Sequence, residues 1–125
     1  MHKALVVDDS RAIRNILSRI LSSCGFSVLQ AGNGLDALQA LGGEAIGVSL
    51  ICVDHNMPEI NGLELVRRVR AIPRFQSVPV IMITTEPHVE FMERALGAGA
   101  SEYIMKPFTS EMIVEKLRML GIIAN

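Results

Sequence analysis

Asp8 and Asp9 follow the apolar run 4–7, Asp54 follows 49–53, Thr84 and Thr85 follow 80–83, and Lys106 follows 103–105. Carboxylates brought together repel one another, and in a bare site at least one tends to keep its proton. A divalent cation relieves that repulsion. The donors are all hard oxygens with no His–Cys cluster beside them, which points to magnesium or manganese rather than zinc. With one lysine and a dication the formal charges cancel, and such a pocket could accept a phosphoryl group. Taken singly, each residue has a plainer use. Asp8 or Asp9 alone reads as a turn or cap residue, Thr84 as a strand end, and a lysine before proline as a solvated loop residue. Four strand ends converging on one chemistry are harder to explain that way.

The elements that must position these groups are legible as an alternation. Residues 4–7, 27–31, 49–53, 80–83 and 103–105 are short, mostly continuous apolar runs, as in strands covered on both faces. Helical patterns lie between them. Ile13, Ile16, Leu17, Ile20 and Leu21 share one helix face. Asn33 and Asn61 each stand three places before an acidic residue, as N-caps do, and Thr109 or Ser110 suits the last helix start. Pro87 suits the first turn of the fourth helix. Strand and helix in regular succession give an α/β fold with a parallel sheet between helices. Such sheets bind ligands outside the carboxyl ends of their strands, where these residues fall. The second strand, ending at Ala31-Gly32, delivers none.

The composition bounds the function. A chain of 125 residues is one domain's worth, expected to span 1–125. At 50% hydrophobic it is no disordered chain. Its 12 Lys+Arg balance 13 Asp+Glu, which argues against a nucleic-acid partner and offers an anionic membrane nothing. No uncharged apolar stretch approaches the ~20 residues that cross a bilayer. The start lacks the pattern of a signal peptide, so a soluble, cytoplasmic protein is expected. Cys24 and Cys52, each among apolar neighbours, are expected to be buried free thiols.

Val6-Val7-Asp8-Asp9, Val53-Asp54-His55-Asn56-Met57-Pro58 with Gly62, Ile83-Thr84 and Lys106-Pro107-Phe108 together resemble the receiver domain of bacterial two-component response regulators, the CheY-like family. The resemblance covers the whole chain. It implies a doubly wound, flavodoxin-like five-stranded parallel sheet of order 2-1-3-4-5 with five helices. It implies that Asp54 is the phosphoacceptor, with magnesium held by Asp9, Asp54 and the backbone carbonyl of Asn56. Asp8 would reach the ion largely through water. Lys106 corresponds to the cation on the phosphoryl oxygens and Thr84 to the hydroxyl that swings toward them. Tyr103 corresponds to the aromatic whose rotamer follows. Asn56 and Glu86 match the positions that tune loss of the phosphoryl group, while Thr85 is larger than the residue chemotaxis members often carry. A cis Lys106–Pro107 bond is also implied.

The partners so implied are a histidine kinase as donor and a downstream protein, a flagellar motor switch or a relay protein. A monomer or a weak phosphorylation-dependent dimer is expected. On the fourth helix Val89, Met92 and Leu96 fall opposite Phe91, Ala95 and Ala98. The first set, with Tyr103, Met105 and Phe108, is the candidate partner surface. His55 and His88 have no spaced metal partner and are expected to face solvent. Chemotaxis is the favoured pathway, and a phosphorelay shuttle is the main rival. A magnesium-dependent aspartyl-phosphate phosphohydrolase would want a second acid where Asn56 stands. A flavodoxin-like cofactor binder would want a Ser/Thr-rich loop where Asp8-Asp9 would repel phosphate.

Overall fold

Leu50–Asp54 and Val80–Thr84 are buried at every position, which only a central strand covered on both faces requires. They are β3 and β4 of a five-stranded, all-parallel sheet in a computed structural model that describes residues 2–124. The other strands are β1 (His2–Val7), β2 (Phe26–Ala31) and β5 (Glu102–Met105), and the order is β2-β1-β3-β4-β5. The helices are α1 (Arg11–Ser23), α2 (Gly34–Leu41), α3 (Gly62–Arg70), α4 (Val89–Ala98) and α5 (Ser110–Met119). A 3-10 turn, Pro73–Phe75, precedes β4. The expected fold class and strand order are those found. Asp54 and Thr84 are themselves the last residues of β3 and β4, so each strand runs one residue beyond its apolar run.

Side chains alternate across the sheet and build two cores. Leu5, Val7, Ile51, Val53 and Met82 pack with Leu63, Val66 and Phe91 on the face covered by α2, α3 and α4. Ala4, Val6, Cys52, Ile81 and Ile83 pack with Leu17, Leu21, Ile113 and Leu117 on the α1 and α5 face. Within α1 the expected apolar face is narrower than its spacing: Leu17 and Leu21 are buried, but Ile16 is 45% exposed. Cys24 and Cys52 are free, but only Cys52 is buried as expected, Cys24 being half-buried at the end of α1; burial pushes the Cys52 thiol up to about 12.

Helix starts are set by side chains. Asn33 Oδ1 accepts from the Asp36 N–H at 2.8 Å, Asn61 Oδ1 from Glu64 at 2.9 Å and Thr109 Oγ1 from Met112 at 3.2 Å. In α4 the cap position is His88, without a side-chain bond, so Pro87 lies just outside the helix rather than in its first turn.

Below the sheet, opposite the acidic edge, Arg70 ties three segments together. Its guanidinium donates to the carbonyls of Phe75 (2.7 Å), Val78 (2.6 Å) and Gly99 (2.9 Å). Gly99 closes α4 at φ 118°, and a Cβ there would stand 2.5 Å from Arg70 Cγ. Arg70→Ala leaves those carbonyls without their donor and should lower unfolding stability by about 2–4 kcal/mol in urea titration. A loss within 0.5 kcal/mol, the range of ordinary surface changes, would contradict this role.

Candidate functional site

The register of the sheet brings the acids together. Val7 of β1 stands beside Val53 of β3, so Asp8 and Asp54 emerge level on neighbouring strands where the strand order reverses. Thr84 of β4 pairs with Met105 of β5, which delivers Lys106 next, and the Lys106 N–H donates to the Thr84 carbonyl at 2.8 Å. Lys106 Nζ donates to Asp8 Oδ2 at 2.9 Å and to Asp54 Oδ1 at 3.1 Å. Asp8 and Asp54 are 1% and 3% exposed, whereas Asp9 faces solvent. One carboxylate oxygen from each of the three lies within 4.8 Å of the others.

Asp8 is held from every side. Its N–H donates to the Ala31 carbonyl, its Oδ1 accepts from the Ser10 N–H at 2.8 Å, and its carbonyl accepts from Arg14 Nη1 at 2.8 Å. Arg14 Nε in turn donates to Gln30 Oε1 at 3.1 Å. Sequence reasoning missed Arg14 and Gln30, because on a helix face and a strand they look like solvated residues. Gly62 was legible only through the family motif. A Cβ there would stand 2.6 Å from the Asp54 carbonyl oxygen and 2.7 Å from His55 Cα, so α3 starts hard against the loop that carries Asp54.

The electrostatics follow from burial. Desolvation and the charge of Asp8 push the Asp54 carboxyl above the usual carboxylate range, against the pull of Lys106 and of the Asn56 backbone N–H. Burial works against the Lys106 ammonium, but its hydrogen bonds to Asp8 and Asp54 outweigh it, and its pKa is raised. One ammonium cannot balance three carboxylates. Hard oxygen donors at this spacing, open on the Asp9 side, fit a hard divalent cation.

Beyond the acids, Thr84 is wholly buried and its Oγ1 accepts from the Glu86 N–H at 3.1 Å. The Asn56 side-chain amide donates to Thr85 Oγ1 at 3.4 Å. The Tyr103 hydroxyl donates to the Glu86 carbonyl, and burial followed by the Glu86 charge raises its pKa. His88 faces solvent as expected, with Nε2 3.4 Å from Glu86 Oε1.

His55 does not stand free in solvent as expected but is half-buried. The Gly62 N–H pulls the His55 carbonyl in at 3.0 Å, and the imidazole packs on Phe91 with centroids 4.4 Å apart. Its Nδ1 is buried without a hydrogen-bond partner, and burial, then Arg94, lowers its pKa. Phe91 also meets Tyr103 edge-on at 6.1 Å. In α4, Phe91 and Ala95 face the sheet, while Val89 and Leu96 are 61% and 50% exposed and Met92 is half-buried. Tyr103 and Met105 line a groove between β5 and α5. Phe108 stands apart from them: the chain turns after Pro107 toward α1, and Phe108 lines a separate hollow with Ile13 and Ile16.

Fold and site together define a doubly wound α/β protein with an acid pocket at its topological switch point. The response regulator receiver domain family matches residues 4–118, and the chain belongs to that family. It is 45% identical over 119 residues to the chemotaxis protein CheY1 of Helicobacter pylori J99, covering 94% of this chain and 95% of that protein. It is 44% identical over 116 residues to the chemotaxis protein CheY homolog of Campylobacter jejuni, covering 92% and 88%. The solved structure of the chemotaxis response regulator CheY4 of Vibrio cholerae is similar at a TM-score of 0.88 and 33% identity, over 96% and 98% of the two chains.

The raised Asp54 pKa has a consequence for stability. A folded-state pKa above the unfolded one means the ionised form is disfavoured on folding, a cost present at neutral pH and relieved as pH falls through the raised value. Metal-free Asp54→Asn should therefore melt above the parent at pH 7, with the gap closing toward acid in calorimetric scans. A gap that widens toward acid would contradict it.

Proposed function

We propose that the chain is a receiver domain, expected to span 1–125, that accepts a phosphoryl group on Asp54 from a histidine kinase or a small acyl phosphate. The observation that carries this reading is the Lys106 ammonium bridging Asp8 and Asp54 beside the open Asp9 carboxylate. An Asp54 oxygen forms the new bond to phosphorus as the donor's P–N or P–O bond breaks. Lys106 is already placed beside the charge that develops on the transferred oxygens, so little reorganisation is needed. Asp8 holds that lysine in place. Asp9, Asp54 and the Asn56 carbonyl would hold the cation, for which magnesium is the best candidate and manganese a substitute. When bound, it supplies charge neutralisation for the incoming phosphoryl group.

The new dianion attracts hydrogen-bond donors. Thr84 answers by giving up the Glu86 N–H as its partner and donating its own proton to a phosphoryl oxygen. That change reaches Tyr103 through Glu86, whose carbonyl the tyrosine holds, and so biases two arrangements of the face. Asn56 and Glu86 flank the pocket mouth and tune access of hydrolytic water. Val89, Met92, Leu96, Tyr103 and Met105 form the partner surface, offered to a protein such as a flagellar motor switch or a relay protein. The chemotaxis proteins among the relatives support that pathway. Among the described residues no helix is long and apolar enough to cross a membrane, and a cytoplasmic setting is the proposal that goes with a kinase partner. The chain catalyses only its own phosphoryl transfer and dephosphorylation.

Incubation with acetyl phosphate and magnesium, followed by intact mass, should show one added phosphoryl group on the parent and none on Asp54→Asn. An unchanged parent mass would overturn the reading. Lys106→Ala should still take up the group, yet leave the fluorescence of Tyr103, the chain's single tyrosine, unresponsive to it. A full response without the lysine would remove it from the switch.

A further inference from the structure

Three of the seven methionines, Met105, Met112 and Met119, line one groove of about 500 Å³ between β5 and α5. Met105 is half-buried there, and its Sδ stands 3.3 Å from the Tyr103 hydroxyl. The same hydroxyl donates to the Glu86 carbonyl, and the Glu86 N–H donates to Thr84. A phenol has one proton to give. A thioether is a weak acceptor, so the carbonyl keeps that proton and the sulfur stands by.

We propose that Met105 is a redox modification site, at which oxidation to the sulfoxide by a peroxide draws the Tyr103 hydroxyl away from Glu86. In that step the Sδ lone pair takes one oxygen atom from hydrogen peroxide. The O–O bond breaks, the sulfur loses two electrons, and the second oxygen leaves as water. A weak acceptor becomes a strong, polar one at hydrogen-bond distance from the only tyrosine of the chain. The Glu86 carbonyl then loses its donor and Tyr103 its anchor on the β4–α4 loop. Met112 and Met119, 39% and 63% exposed, oxidise sooner, but neither is bonded to the tyrosine. Met82 is wholly buried in the core and is spared. The effect on signalling rests on the proposed switch role of Tyr103; the effect on its ring does not.

The test uses metal-free, unphosphorylated protein, so its result is separate from that with acetyl phosphate. Graded hydrogen peroxide is followed by peptide mass mapping of each methionine and by the NMR ring resonances of Tyr103. The ring resonances should shift in proportion to Met105 sulfoxide and return after treatment with methionine sulfoxide reductases. The shift should persist in the Met112→Leu/Met119→Leu double variant and vanish in Met105→Leu, a swap that conserves volume. An unchanged ring at full Met105 oxidation would overturn the proposal. So would an equal shift in Met105→Leu, or a Met105 that stays as reduced as the core residue Met82 at the highest peroxide dose.

Discussion

A single ammonium group shared by two buried carboxylates sets the terms for the rest of this molecule. Lys106 reaches Asp8 and Asp54 across 98 and 52 residues of chain, and only a sheet that aligns the ends of β1, β3 and β5 can close those distances. Buried carboxylates with too little countercharge are expensive. The fold accepts that cost at one edge and compensates elsewhere, with two apolar cores and an arginine clasp at the opposite edge. An imbalance kept at a pocket mouth gives a cation something to neutralise.

The same edge links to the face beyond it through unremarkable parts. The Glu86 backbone makes the link, its N–H toward Thr84 and its carbonyl toward Tyr103. His55 and Phe91 add a second, apolar path from the loop after β3 to the same tyrosine. Packed rings and a shared peptide group are stiff at short range, which suits small shifts at the acids to discrete rearrangements of the face.

Much of this was legible in the sequence, because burial on both faces leaves continuous apolar runs and capping chemistry leaves asparagine at helix starts. The strand ends therefore located Asp8, Asp54, Thr84 and Lys106 with an error of one residue. Periodicity also separated the two sides of α4 correctly, with Phe91 and Ala95 inward. What stayed hidden depends on long-range packing. The half-burial of His55 follows from a loop folded back by Gly62, and nothing local to a histidine announces that. Arg14 joins the Asp8 carbonyl to the Gln30 side chain, and Arg70 reaches the Gly99 carbonyl on another helix end, pairings that no spacing rule encodes. Phe108 was grouped with Tyr103 by proximity in the chain, yet the turn after Pro107 carries it to the α1 side.

Three carboxylates, one of them tied fully into the protein, are spaced to seat one hard dication. Carboxyl-carbon NMR of Asp8, Asp9 and Asp54 during a magnesium titration tests it most directly. The account predicts saturable shifts that are largest at Asp9 and Asp54 and smaller at Asp8, whose oxygens are already engaged by Lys106 and Ser10. Shifts confined to Asp8, or none that saturate, would contradict it.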